Sequence, residues 1–302
     1  MRAALRVLRH GLRLLPLVVV LALVVPGSGV RPTTVGLVKV QPAEAYDFAD
    51  GVVWTLVLGK DVEGQTDLIQ LLGINFRNGN AAAIGIPRDS WFELSAEEGE
   101  DRINTAYATG GAELAAGAVE RLVGIAPDYV LVTDTDGFLA MVATLGEVDV
   151  DSEFAFQAED SDLQVHRGLN TFSPQEALDF AVTRTTLARG DFDRSLNHQA
   201  LLLGLLEQLR DRDDEPGFIE ALGLDAVAGI DTGNLSPLDL YRLLNALTSV
   251  DPGKASGCIV LGTDATSPLG GAIVIPDFAL ATRLGDDVRD DARFDQGCGD
   301  GP

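Results

Sequence analysis

Between residues 52 and 86 the hydrophobic pattern comes in three bursts, residues 52–58, 68–74 and 81–86, separated by glycine, asparagine and charged residues. The first, rich in β-branched and aromatic side chains, predicts a buried strand, and the other two short runs predict two more. The break between the second and third holds Asn78-Gly79, a tight hairpin signal. Beyond it the period changes. Residues 112–123 carry apolar side chains at helical spacing and stop at Gly124. Residues 129–133 predict a strand, and residues 136–145 a helix closed by Gly146. Ser173-Pro174-Gln175-Glu176 joins an N-cap, a first-turn proline and a third-position glutamate, and opens a helix to about residue 182. The longest helix is expected over residues 193–209, almost wholly apolar from 200 to 206. A further helix over 237–247 and short strands near 258–260 and 273–275 follow. Strands and helices mix without strict alternation and without repeats. The pattern predicts an α/β or α+β sandwich around one sheet, as one domain from about residue 52 to 284.

The first 30 residues form a separate unit. Arg2, Arg6, Arg9 and Arg13 precede an apolar run over residues 14–25, then Pro26-Gly27-Ser28-Gly29. A basic flank followed by a short apolar core is an export segment. It fits either a cleaved signal or a single anchor with its N-terminus in the cytoplasm. No small-x-small cleavage site is evident, which favours the anchor. Residues 31–50, mixed and proline-containing, read as a linker or an edge segment.

The chain carries a formal charge of −24, from 22 basic and 46 acidic residues. Such a field repels nucleic acid and anionic headgroups, so any anionic ligand needs a local basic pocket. Cys258 and Cys298 are the only cysteines, and in an exported chain an even pair favours a disulfide. With His10, His166 and His198 the only histidines, a zinc site is not expected.

That basic pocket has one strong candidate. Residues 183–194 place Arg184, Arg189 and Arg194 among Asp191 and Asp193, around Gly190, at the mouth of the longest helix. Guanidinium groups bind phosphate oxygens bidentately and never lose their charge. Arg88 follows the third strand, and Arg102 offers a further contact unless it pairs with Glu100 or Asp101. Asp61 and Asp67 flank the turn between the first two strands. Two carboxylates plus phosphate oxygens suit Mg²⁺, which takes few protein ligands and keeps several waters.

Read together, these pieces carry a resemblance. Leu58-Gly59-x-Asp61, Thr66-Asp67, Ile86-Pro87-Arg88-Asp89-Ser90 and Arg102-Ile103-Asn104-x-Ala106-Tyr107 come first. Gly110-Gly111, Asp136-Gly137-Phe138, Val148-Asp149-Val150, Gln175-Glu176-Ala177-Leu178 and Arg184…Gly190-Asp191-Phe192-x-Arg194 follow in order. Over about residues 52–210 this succession resembles the LytR-CpsA-Psr family, and the cysteine-bearing C-terminal part resembles tails of actinobacterial members. The resemblance implies an α-β-α sandwich, a central mixed sheet flanked by helices, with an apolar lipid-binding tunnel. It implies an extracytoplasmic phosphotransferase that moves a glycopolymer from a polyprenyl-pyrophosphate carrier to peptidoglycan. Carried over by position, Asp61 and Asp67 would hold Mg²⁺. Arg88, Arg102, Arg184 and Arg194 would bind pyrophosphate, with Arg88, Arg184 and Asp191 the catalytic set. Asp191 would orient the arginines or act as a base. The apolar face of the helix over residues 196–209, with the helix from Ala112, would line the tunnel. The implied organisation is an anchor or signal over 1–30, a linker over 31–50, a catalytic domain over 51–285 and a tail over 286–302. The location is the outer face of the cell membrane, or outside the cell if the segment is cleaved.

Three positions depart from the family pattern. Gln65 stands where members carry an arginine, Val182 replaces the first of an Arg-x-Arg pair, and His198 replaces a glutamine, with Gln199 beside it. Gln65 and His198 are expected to take the pyrophosphate-contact role by position. Each lost guanidinium removes a charge-assisted contact worth about 1.5–3 kcal/mol. The alternative expectation is therefore a non-catalytic protein that binds polyprenyl phosphate or wall polymer in assembly or regulation. Hydrolysis of the pyrophosphate by water differs only in the acceptor.

Overall fold

The computed structural model describes residues 35–39, 51–61, 63–212, 230–231, 247 and 250–298. Strands β1 (Val35–Lys39), β2 (Val52–Lys60), β3 (Thr66–Asn75) and β4 (Asn80–Gly85) come first, then a small hairpin of β5 (Trp91–Ser95) and β6 (Gly99–Arg102). Helix α1 (Ala106–Val123), β7 (Tyr129–Asp134), α2 (Thr135–Leu145) and β8 (Val148–Ser152) follow, then β9 (Phe156–Gln157), β10 (Gln164–Val165) and β11 (Gly168–Phe172). The rest is α3 (Pro174–Val182), α4 (Asp191–Asp211), β12 (Ile230–Asp231), β13 (Ala255–Ile259), β14 (Gly262–Thr266), β15 (Ala272–Pro276) and α5 (Phe278–Val288).

Among the described residues, seven strands form the central sheet in the order β12-β1-β7-β2-β3-β4-β13. It is mixed: β2 pairs antiparallel with β3 and parallel with β7, while β13 runs parallel to β4. The Asn78-Gly79 turn closes the β3–β4 hairpin as expected, with the Gly79 N–H donating to the Asn75 carbonyl at 2.9 Å. The capping box at α3 forms too, the Ser173 N–H reaching Glu176 Oε2 at 2.8 Å. Strand β1 falls inside the expected 31–50 linker and joins the sheet beside β7, so part of that segment is structural. The helix expected over 237–247 lies outside the described residues except for Leu247, as do the export segment and most of the linker.

Strand alternation sends successive side chains to opposite faces of the sheet, and a separate core lies on each side of it. On one face, Trp54, Leu56, Leu58, Ile69 and Leu71 pack with Val119 and Leu122 of α1 and Leu284 of α5. Beyond the other face a second cluster joins Val142 of α2, Val148 and Val150 of β8, Phe180 of α3 and Leu201 and Leu205 of α4. Phe180 stacks on Phe156 at 5.8 Å and meets Phe172 in a tilted arrangement at 5.1 Å. Helix α4 passes close over β8, where a Cβ at position 204 would run into the Asp149 carbonyl; only glycine fits there.

This layering overturns one expectation. The helix from Ala112 and the helix over 196–209 do not line a common channel, because the sheet stands between them. α1 belongs to the first core and α4 to the second face, where the fully buried Gln70 of β3 donates to the Ser195 carbonyl at 3.1 Å. Two further boundaries shift. α1 starts at Ala106 and breaks its helical dihedrals at Gly110 and Gly111 before continuing. α5 runs through the expected domain end at residue 285, and a disulfide between Cys298 and Cys258 ties the tail back to β13.

Candidate active site

The strands position the site along one edge of the sheet. Lys60 at the end of β2 lies opposite Thr66 of β3 and beside Asp134 of β7. Gly85 at the end of β4 lies beside Gln70 of β3 and Ile259 of β13. Asp61, Asp67, Arg88 and Leu261 therefore stand at the same edge, in that lateral order. Each sits one to three residues from a paired strand position, so the sheet itself fixes their spacing.

Two buried carboxylates then gather the arginines. Asp89 accepts from Arg184 Nη2 at 2.8 Å and from Arg102 Nη1 at 3.4 Å, with Arg88 Nε at 3.6 Å. Asp191, in the first turn of α4, takes the Arg88 backbone N–H at 2.7 Å on Oδ2 and the Arg194 guanidinium on Oδ1. Arg88 also pairs with Asp67. Gly190 makes the sharp entry to α4: its φ of 51° lies in the left-handed region, which glycine adopts without steric cost. On the near side of that turn, Glu159 Oε1 accepts the backbone N–H groups of Arg184 and Thr185 and so holds the loop. Burial raises the Glu159 carboxyl, but those N–H groups outweigh it and keep the group below the usual carboxylate range. Arg88 is lowered from the ordinary arginine value. Burial is the chief cause, opposed by Asp89 and reinforced by the charges of Arg194 and Arg184. The Arg194 and Arg184 guanidiniums thus stand close enough to Arg88 to oppose its charge, and an anion placed among the three would relieve that repulsion.

The sequence-predicted residues sort into two groups. Asp67, Arg88, Arg102, Arg184, Asp191 and Arg194 come together in one ion-paired cluster. Arg102 thus reaches Asp89, while only its backbone N–H uses Asp101, at 2.7 Å. Asp61 stands at the end of the neighbouring strand, its Oδ1 accepting from the Glu63 and Gln65 N–H groups at 2.9 Å each. Asp61 Oδ2 and Asp67 Oδ2 make no hydrogen bond among the described residues and could hold a divalent cation. Gln65 is turned to Asn104, whose Nδ2 donates to its Oε1 at 3.0 Å.

His198 is the correction. Its side chain lies beneath the cluster, 3 % exposed, with Nε2 at 2.9 Å from the Ala181 carbonyl. Burial first, and the Arg194 charge second, push its pKa down to about 3, so the ring is neutral and offers no cation to a phosphate. Helical spacing explains the placement: position 198 follows Arg194 by one turn on the buried side of α4. Asp89 is the residue that sequence reasoning missed. It stood in the Pro87-Arg88-Asp89-Ser90 motif without a role, and the available signal was an acid adjoining an arginine in an anion-binding loop.

Beside Asp89 and Arg184 opens a cavity of about 500 Å³. One wall is the loop over residues 184–192 and the other is the β14–β15 hairpin, including Asp264.

Comparisons with known proteins bear on the fold and the family. The chain is 27% identical over 157 residues to the polyisoprenyl-teichoic acid–peptidoglycan teichoic acid transferase TagU of Bacillus cereus, covering 51% of each protein. It is 31% identical over 150 residues to the enzyme of the same name from Halalkalibacterium halodurans, covering 48% of this chain and 47% of that one. The chain spans about half the length of the curated relatives it matches. The crystal structure of B. subtilis TagV has the same fold, with a TM-score of 0.66 at 22% identity over 78% of this chain and 95% of that one. TagT bound to LIIa-WTA matches with a TM-score of 0.64 at 21% identity, covering 83% of this chain and 94% of that one. The LytR_cpsA_psr family model matches residues 37–223, more than half of the sequence and the whole of the arginine–carboxylate cluster. The chain belongs to the LytR_cpsA_psr family.

Proposed function

We propose that this chain is an extracytoplasmic phosphotransferase that moves a glycopolymer from a polyprenyl-pyrophosphate carrier onto a peptidoglycan hydroxyl. The observation that carries the reading is the gathering of Arg88, Arg102 and Arg184 on the single carboxylate of Asp89, beside Asp61 and Asp67. The relatives named as teichoic acid transferases support it, as does the basic, apolar N-terminal sequence for the outer membrane face.

The residues fit Mg²⁺. Among the described residues no group of three acidic, histidine or cysteine side chains forms a metal cage. Mg²⁺ does not require one, since it takes one or two carboxylates and completes its shell with phosphate oxygens and water. Asp61 and Asp67 would hold it through their unengaged Oδ2 atoms. When bound, the ion neutralises charge on the pyrophosphate oxygens.

The protein's own groups do the rest by position. Arg184 and Arg102 are about one-third exposed while tethered to Asp89, so they can present N–H donors to phosphate without wandering. Arg194 and Asp191, both buried, fix the position of the Arg88 backbone. The acceptor oxygen bonds to the phosphorus that carries the polymer, and the bond from that phosphorus to the bridging oxygen breaks. Polyprenyl phosphate departs with the electron pair and can take the hydroxyl proton. Such a transfer depends on orientation and charge neutralisation more than on covalent chemistry from the protein.

The polyprenyl chain is assigned to the face of the sheet under α4. Leu68, Leu72 and Ile74 share that face with Gln70 and are only half-buried. Leu202 and Leu206 continue the stripe of Ser195 and Gln199 on α4 and are also half-buried. The test is covalent attachment of polymer to isolated wall material, given the pyrophosphate-linked donor and Mg²⁺. Attachment that stops on chelation supports the reading; a protein that binds the donor and turns none over is the binding protein instead.

A further inference from the structure

The arginine cluster has two sides, and the donor as proposed above occupies only one of them. Along the sheet edge, Asp61 and Asp67 lie on the β2–β3 side of Arg88, and the 500 Å³ cavity lies on the β13 side, beyond Asp89 and Arg184. A phosphoryl transfer places the entering and leaving oxygens roughly in line on opposite sides of phosphorus. With carrier lipid and metal carboxylates on one side, the hydroxyl must enter from the other.

The far wall of that cavity is held in register with the cluster. The Val274 N–H donates to the Asp89 carbonyl at 2.9 Å, and Ser90 bridges Val274. Val274 is the cross-strand partner of Asp264. At the base of the hairpin, the Asp277 N–H donates to the Leu261 carbonyl at 2.8 Å. Asp264 is thus fixed relative to Arg184 through two strands rather than carried on a loose loop. Its carboxylate makes no ion pair or hydrogen bond among the described residues, although the cavity also contains arginines. Across from it, Arg189 uses Nε on Asp193 at 2.7 Å and leaves its Nη groups without a partner among the described residues. An unengaged acceptor and unengaged donors thus line one space of the size that small ligands fill. That combination suits a saccharide ring, which presents hydroxyls as both donors and acceptors.

We propose that this cavity is the acceptor site, and that Asp264 accepts a hydrogen bond from a peptidoglycan sugar while Arg189 donates to it. The proposal rests on the transferase reading above. The saccharide could in chemistry also be the first sugar of the donor polymer, and the experiment separates the two.

The test compares the full-length chain with Asp264→Asn and Asp264→Ala, varying a soluble peptidoglycan glycan fragment and the pyrophosphate-linked donor independently. The expected result is a rise of about tenfold in KM for the glycan fragment in both variants, one charge-assisted hydrogen bond lost. KM for the donor and Mg²⁺-dependent release of polyprenyl phosphate to water stay unchanged. A raised donor KM with an unchanged acceptor KM assigns the cavity to the donor sugar and overturns the proposal, as does no change in either. If the unaltered chain shows no turnover, the transferase reading fails, and calorimetric binding of the glycan fragment still decides the cavity. Binding that Asp264→Ala removes upholds a saccharide site there; absent binding overturns it.

Discussion

Asp191 accepts the backbone N–H of Arg88 at 2.7 Å, joining the first turn of α4 to the end of β4 across 103 residues of sequence. Its other oxygen takes the Arg194 guanidinium. One carboxylate thus positions two arginines that come from different layers of the fold. Asp191→Asn puts an amide donor against either the Arg88 N–H or Arg194. We expect kcat/KM for the donor to fall by about 2 kcal/mol, or roughly thirtyfold, with circular dichroism unchanged. An unchanged rate would mean that this link does not set the geometry.

Gln70 is the polar bolt between the sheet and α4. It is fully buried, donates to the Ser195 carbonyl at 3.1 Å and accepts from Gln199 Nε2 at 3.2 Å. Gln70→Leu removes both bonds, leaving Gln199 Nε2 only the Cys258 carbonyl, at 2.9 Å. Stability should fall by about 1–3 kcal/mol, with Tm dropping roughly 2–4 °C for each kcal/mol. A stabilised variant would contradict the account of this contact.

His198 makes stability depend on pH. Its native pKa is near 3 against an ordinary value of 6.5, so between these values the unfolded chain binds a proton that the native chain does not. The contribution is complete above pH 6.5 and is lost as pH falls toward 3. Between pH 7 and pH 5 the loss attributable to this ring approaches about 2 kcal/mol. Urea unfolding of the unaltered chain and of His198→Gln should diverge over that range. Parallel curves would show that the ring is not held neutral by burial.

The Cys258–Cys298 disulfide closes a 40-residue loop that includes the β14–β15 hairpin and α5. Cross-linking a loop of that length limits the unfolded chain by up to about 4 kcal/mol. Cys298→Ser, or reduction, should lower the denaturation midpoint without removing donor binding, because no arginine of the cluster lies in the loop. Loss of donor binding at a temperature where the variant remains folded would contradict this separation.

Local chemistry made much of the fold legible. The three strands around Asn78-Gly79 and the box at Ser173 to Glu176 stand where short-range pattern puts them, because their signals involve residues a few positions apart. What escaped depends on distant partners. The charged, interrupted sequences of β5 and β6 become strands only by pairing, Trp91 with Arg102. Helix α5, with Gly285-Asp286-Asp287 near its end, is given no element by the sequence pattern, and its apolar side packs against α1. The site divides the same way. Asp61, Asp67, Arg88, Arg184 and Asp191 are legible as types and spacings. The gathering role of Asp89 is not, since Arg102 and Arg184 reach it from 13 and 95 residues away. Nor does spacing reveal which face of the sheet a helix covers, and there the expected partnership of α1 with α4 failed.

Arginines tethered to Asp89 are expected to hold a pyrophosphate for transfer. The most direct measurement is Mg²⁺-dependent release of polyprenyl phosphate from the pyrophosphate-linked donor, by the unaltered chain and by Arg184→Ala. The account predicts release by the former and a loss of at least about tenfold in the latter, the equivalent of one charge-assisted contact. Equal release from both proteins, or none from either while the donor stays bound, would contradict it.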